Sequence, residues 1–242
     1  DVVRDIFDMI EEISRINISK LCSKGPIEEL TMTVNLQPAV TAVNLACLAV
    51  IEKENIDCHY CAGHSLGEYS ALSAAGVISK EDTARLVFKR GELMHREATR
   101  NHGAMHAIVG LPIDTVADLV AEVQKDGIVS VANHNTELQI VITGAPEAVE
   151  KASSLAIAQG ARSIPLKVSG AWHSELIKVA EEEFKAYLDS ADFHTPEKSI
   201  LLNVTADSSE DPVEIKETMG RQLCSPVRWY DTIHKLMDKN VE

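Results

Sequence analysis

Gly63-His64-Ser65-Leu66-Gly67-Glu68 decides how this sequence is read. A short apolar run, Asp57-Cys58-His59-Tyr60-Cys61-Ala62, precedes it, and an alanine-rich helical run from Tyr69 to Ala75 follows. G-x-S-x-G between a strand and a helix is a nucleophile elbow, a sharp turn that lifts one serine hydroxyl above the sheet. Gly63 and Gly67 are expected where bulkier side chains would block the tight crossing of strand and helix. The helix N-terminus sets the Leu66 N–H and a positive partial charge beside Ser65, where an oxyanion would form. The elbow therefore predicts acyl-group chemistry through a covalent serine ester. An ordinary glycine-rich turn is the competing reading, and the flanking strand and helix favour the elbow.

Working outward, positions 2–16 read as an amphipathic helix and 27–30 as a short helical turn. A largely apolar helix over 33–50 starts near Gln37-Pro38, where proline suits the first turn, and reads as buried. After the elbow helix, Ser79-x-x-Asp82 resembles a capping box and opens a helix to about Arg100. From Gly103 the pattern changes. Strands over 104–109, 128–132, 138–143 and 161–166, with helices over 112–125 and 146–159, give β-α-β-β-α-β, the signature of a ferredoxin-like unit. The expected organisation is thus an α/β body of 1–102 and 167–242 with a small subdomain of 103–166 inserted into it. Beyond the insertion, helices are expected over 175–188, near 215–223 and over 226–239, with a strand over 199–203.

The 242 residues are 45% hydrophobic and 25% charged, which suits an ordinary soluble globule. No apolar run is read as a membrane span, and the acidic start does not resemble a signal peptide. The net charge of −14, from 23 basic and 37 acidic residues, argues against nucleic-acid binding. The five cysteines are odd in number and mostly in apolar runs, as expected of reduced thiols in the cytoplasm. Cys58-x-x-Cys61 has no second pair, so no metal site is expected. Both ends look cut, since residue 1 is Asp and the chain stops directly after a helical run.

A serine nucleophile needs a base, and nine histidines compete for that role. His64 adjoins Ser65, and in an elbow its side chain points away. His102 and His106 are four apart, but in loop and strand. His173 is the best candidate: it ends Val168-Ser169-Gly170-Ala171-Trp172, a strand end and loop leading into a helix, and it follows the nucleophile in the chain. No acid stands out to orient it among Asp189, Asp192, Asp207 and Asp211. A carbonyl could accept the imidazole N–H instead, which would suit transfer to a thiol better than rapid hydrolysis. Arg90, on a partly apolar helical stripe, is either a surface arginine with a packed stem or a guanidinium awaiting a carboxylate.

Together these residues resemble the malonyl-CoA:acyl carrier protein transacylases of fatty acid synthesis and the related acyltransferase domains of polyketide synthases. The matching stretches are Gln37-Pro38-Ala39, Gly63 to Tyr69, Arg90 to Met94, Gly103-Ala104-Met105, Val141 to Gly144, Val168 to Ser174 and Arg221 to Trp229. The resemblance implies a hydrolase-like α/β body with an inserted ferredoxin-like subdomain, Ser65 as the acylated nucleophile and His173 as its base and acid. It also implies Arg90 as the clamp on the malonyl carboxylate and the Gln222 carbonyl as the group orienting His173. Trp172-His173 is similar to the malonyl-type sequence. The implied reaction is ping-pong transfer from malonyl-CoA to the phosphopantetheine thiol of acyl carrier protein, by a cytoplasmic monomer with no bound cofactor. Lys89, Arg96, Arg100, Arg162, Lys167 and Lys178 are candidates for meeting an acidic carrier protein. The family's Gly-Gln-Gly-x-Gln strand, whose glutamine N–H completes the oxyanion hole, has no counterpart in these 242 residues, so a longer protein is expected. An esterase or thioester hydrolase, or a non-catalytic docking module, are the alternatives.

Overall fold

The computed structural model of the chain describes residues 1–239 and 241. Its first elements, up to Lys53, are all helices. Asp1 caps α1 (Val2–Ser14) by accepting the Val3 N–H, and Arg15 ends the helix by turning left-handed. The expected helix over 2–16 therefore stops early. A second helix that the pattern did not mark, α2 (Ile18–Lys24), follows under an Asn17 cap, and then α3 (Ile27–Leu30).

α4 (Thr33–Lys53) starts at Thr33 as read and ends three residues later than read, but Pro38 sits inside the helix and not in its first turn. Having no N–H, Pro38 leaves the Val34 carbonyl without its usual partner. By length and composition α4 could cross a membrane, contrary to the sequence reading. Half of that apolar window is buried inside the protein, and α4 packs on α1 and on α6 (Lys80–Arg100). Ile6, Ile10, Ala42, Leu45 and Ala84 form the core they share.

Between α4 and α6 lie β1 (Tyr60–Cys61) and the elbow helix α5 (Gly67–Ala74). Ser79 starts α6 by accepting the Asp82 N–H at 2.9 Å, as the capping pattern predicts. The chain then forms β2 (Ala104–Val109), α7 (Ile113–Val123), β3 (Val129–Thr136), β4 (Gln139–Gly144), α8 (Pro146–Ala158) and β5 (Arg162–Pro165). These strands make one antiparallel sheet in the order β3-β4-β2-β5.

Alternation along the strands splits this sheet into two faces. Ile108, Ile140 and Ile142 pack with Val116, Val120, Val149 and Ala152 of the two helices. Met105, Ala107 and Val141 face the other way and meet Trp172, beside His173. The 167–173 segment is loop, so the strand end expected before His173 is not found.

A single 3₁₀ turn (Glu175–Ile177) leads into α9 (Lys178–Tyr187). β6 (Ser199–Ile200), α10 (Pro212–Met219) and α11 (Trp229–Asp238) complete the order. β6 pairs in parallel with β1, so the parallel sheet of the body has two short strands among the described residues. Tyr69, Leu72, Leu86, Leu93, Phe184 and Ile200 pack beneath that pair as a separate core. The whole is an α/β fold with mixed sheets.

Candidate active site

The elbow forms where β1 meets α5. Ser65 takes φ of 50°, a left-handed conformation that costs a non-glycine residue energy and marks functional turns. A Cβ on Gly63 would stand 2.1 Å from the Gly67 carbonyl oxygen, so only glycine fits there. Gly67 differs from the expectation, because a Cβ at that position meets nothing within 4 Å. Crowding is thus one-sided: Gly63 takes the strain, and Gly67 opens onto space beside the turn.

Asn203, three residues past β6, ties the elbow together. Its Oδ1 accepts the Ser65 N–H at 2.6 Å and its Nδ2 donates to the Gly63 carbonyl at 2.7 Å. The Leu66 N–H, at the start of α5, has no acceptor among the described residues and is free to meet an incoming oxygen.

Ser65 Oγ lies 2.9 Å from His173 Nε2 and receives Arg90 Nη2 at 3.1 Å. His173 is 3% exposed and also left-handed, with φ of 60°. Its Nδ1 lies 3.0 Å from both the Gln222 and the Ser225 carbonyl oxygens. Two acceptors there fix the proton on Nδ1 and leave the Nε2 lone pair facing Ser65. Among the described residues no carboxylate contacts the imidazole, and none of Asp189, Asp192, Asp207 and Asp211 is among its partners. Burial, followed by the Arg90 charge, pushes His173 down to about 3, so it is neutral near pH 7.

Arg90 is held as a buried cation, 2% exposed, and is not the surface arginine of the competing reading. Its Nη1 donates to Gln37 Oε1 at 2.7 Å, its Nε to Gln222 Oε1 at 3.3 Å, and its face lies over the Tyr69 ring. Gln222 works through both ends. Its carbonyl faces His173, while its Nε2 donates to the Ser65 carbonyl at 2.9 Å and to Glu68 Oε2 at 2.6 Å.

The remaining histidines stand apart. His64 meets Asn135 Oδ1 at 2.9 Å and the edge of Trp229, and His106 is bound to Ser153 and Ser163. Of the basic residues expected to meet a carrier protein, Lys89, Arg96, Arg100 and Lys178 are paired with nearby glutamates. Arg162 on β5 and Lys167 form no ion pair among the described residues.

The structure brings together Ser65 and His173, expected from the residues, with Arg90 and the Gln222 carbonyl, given their roles by the resemblance. Sequence reasoning gave no role to Asn203, Glu68, the Gln37 side chain or the Ser225 carbonyl. Gln37 carried a signal, a polar side chain in a helix read as buried. Glu68 was readable only as a favourable charge at a helix start.

An elbow serine bonded to an imidazole, on a mixed α/β scaffold with a buried cation at the hydroxyl, defines the class as a serine acyltransferase. The chain matches the acyl transferase domain family over residues 1–242. It is 42% identical over 238 residues to the malonyl CoA-acyl carrier protein transacylase of Bacillus subtilis (strain 168), covering 98% of this chain and 75% of that protein. It superposes with TM-score 0.95 on an acyl carrier protein S-malonyltransferase from Vibrio cholerae, at 38% identity, covering 100% of this chain and 79% of that one. A type II polyketide malonyl-transacylase, solved in complex with its acyl-carrier protein, matches with TM-score 0.95 and 36% identity over 99% of this chain and 78% of its own. The chain belongs to the malonyl CoA-acyl carrier protein transacylases of the acyl transferase family.

Proposed function

We propose that the protein moves a malonyl group from malonyl-CoA to the phosphopantetheine thiol of an acyl carrier protein, through a malonyl ester on Ser65. The observation that carries this reading is the convergence of His173 Nε2 and Arg90 Nη2 on one hydroxyl, Ser65 Oγ. A base makes the serine nucleophilic. A buried guanidinium beside it suits an acyl group that ends in a carboxylate. The hydrolase alternative has no use for that cation.

His173 Nε2 takes the Ser65 proton as Oγ bonds to the thioester carbon. The Leu66 N–H at the start of α5 receives the developing oxyanion. The C–S bond then breaks, and the CoA sulfur leaves with the proton from His173. The carrier thiol runs the same steps in reverse order. Burial is the larger cause that holds His173 low, and a malonyl carboxylate on Arg90 offsets the smaller, the positive field, raising its basicity as substrate binds. An acetyl group would leave the guanidinium without that partner.

Arg162 and Lys167, with no ion pair among the described residues, are the cations best suited to an acidic carrier. We read the four-stranded unit as ferredoxin-like, from its β3-β4-β2-β5 order, and the remainder as a hydrolase-like body. The free cysteines suit a reducing cytoplasm, and the reading takes the protein as a monomer with a CoA thioester as substrate and no bound cofactor.

Incubation of the full-length protein with malonyl-CoA, followed by intact-mass measurement, tests the reading. A malonyl adduct is expected and Ser65→Ala should abolish it. Arg90→Ala should weaken malonyl loading while sparing or raising acetyl loading. Steady CoA release with no adduct would support a hydrolase, and equal loss of both acyl groups would remove the clamp.

A further inference from the structure

Glu68 lies three residues past the nucleophile and is wholly buried, yet none of the acyl-transfer steps uses it. Its Oε1 accepts the Asn203 N–H at 2.8 Å, and its Oε2 accepts Gln222 Nε2 at 2.6 Å. The other end of the same carboxamide, Gln222 Oε1, accepts Arg90 Nε and the Tyr69 hydroxyl, each at 3.3 Å. One carboxamide therefore joins a buried anion to a buried cation, with its donor toward the first and its acceptor toward the second.

The charged and titratable groups facing Glu68 are Arg90 from α6 and Tyr69 from its own helix, while the Asn203 and Gln222 loops supply neutral donors. The groups that directly accept from Arg90 are neutral too: Gln37, Gln222 and Ser65. Glu68 is the carboxylate whose charge acts on Arg90. A second carboxylate arriving at Arg90 would put two anions about one buried cation. Like charges sharing a site drive a proton onto one of them.

We propose that Glu68 is the counter-charge of Arg90 before loading, and that it takes up one proton from solvent when a dicarboxylic acyl group is carried onto Ser65. This rests on Arg90 being the carboxylate clamp. The proton adds to a Glu68 carboxylate oxygen and returns to solvent when the acyl group departs on the carrier thiol. An acetyl group, uncharged once esterified, leaves Glu68 ionised. Burial has already pushed Glu68 up to about 7, so a further rise carries it through the working range of pH.

The test is a single-turnover acylation of the full-length protein in weak buffer with a pH indicator, using malonyl-CoA and acetyl-CoA, with acyl-enzyme counted by intact mass. Both reactions release the same CoA thiol, so its protons cancel in the comparison. At about pH 8, malonyl loading is expected to take up close to one more proton per acyl-enzyme than acetyl loading. The difference should fade below about pH 6, where Glu68 is protonated beforehand. Glu68→Gln, which keeps the shape and loses the titrating group, should still form malonyl-enzyme but without the difference. Equal proton counts in the unaltered protein, or a difference that persists in Glu68→Gln, would overturn the inference. Should Glu68→Gln fail to fold, the pH course of the unaltered protein decides alone, and a flat course overturns it. Absence of any malonyl-enzyme would instead overturn the clamp reading.

Discussion

The four-stranded sheet with its two helices and the ground around Ser65 are built on opposite terms. In the first, Ile108, Ile140 and Ile142 alternate with residues of the other face, and Val116, Val120 and Val149 meet them at helical spacing. Local preference and tertiary packing agree there. Around Ser65 they disagree. Ser65 and His173 hold left-handed backbone, and Arg90 and Glu68 are charges without water. Such costs persist only where surrounding structure over-determines them, and here they share one site. Here strain sits with the chemistry, and regularity with its support.

Breaking the strained side should cost most. His173→Ala is expected to slow malonyl loading about 10²–10⁴-fold while unfolding stays cooperative, as stopped-flow CoA release and circular dichroism would read. A variant that unfolds instead would make His173 a packing residue. The regular side should fail differently. Ile142→Ala, deleting a side chain 1% exposed, is expected to lose about 2–5 kcal/mol in urea titration while the folded fraction keeps its loading rate. Loss of loading in step with an unchanged stability would erase the distinction between the two regions.

The smallest effect concerns pH. Glu68 is raised from 4.5 to about 7, so its contribution to stability is full below 4.5 and is lost as pH rises through about 7. His173 is lowered from 6.5 to about 3, so its contribution is present above 6.5 and is lost as pH falls through about 3. Glu68→Gln should flatten the decline between about pH 4.5 and about pH 7 in urea titrations. An unchanged slope would mean that Glu68 is ionised across that window.

Much of this was readable from residues alone, and the exceptions have physical causes. The sheet unit was legible because hydrophobic period switches between 2 and 3.6 at each element. The elbow and the candidacy of His173 were legible from side-chain types in a set order, whereas the Arg90 clamp and the Gln222 carbonyl came only with the family resemblance. Ser225 was not legible, because it acts through a carbonyl that every residue owns. Asn203 was hidden by distance, being brought back to the elbow by the pairing of β6 with β1. Gly67 was over-read, since a motif names two glycines while the crossing crowds only Gly63. α2 escaped because seven residues are too few to show a period.

Three of the groups that complete the elbow lie far downstream. His173 follows Ser65 by 108 positions, Asn203 by 138 and Gln222 by 157. On a ribosome, therefore, the serine emerges long before the imidazole that would arm it. A half-made chain carries an ordinary alcohol, and Ser65 meets its base only once the segments carrying His173, Asn203 and Gln222 have docked.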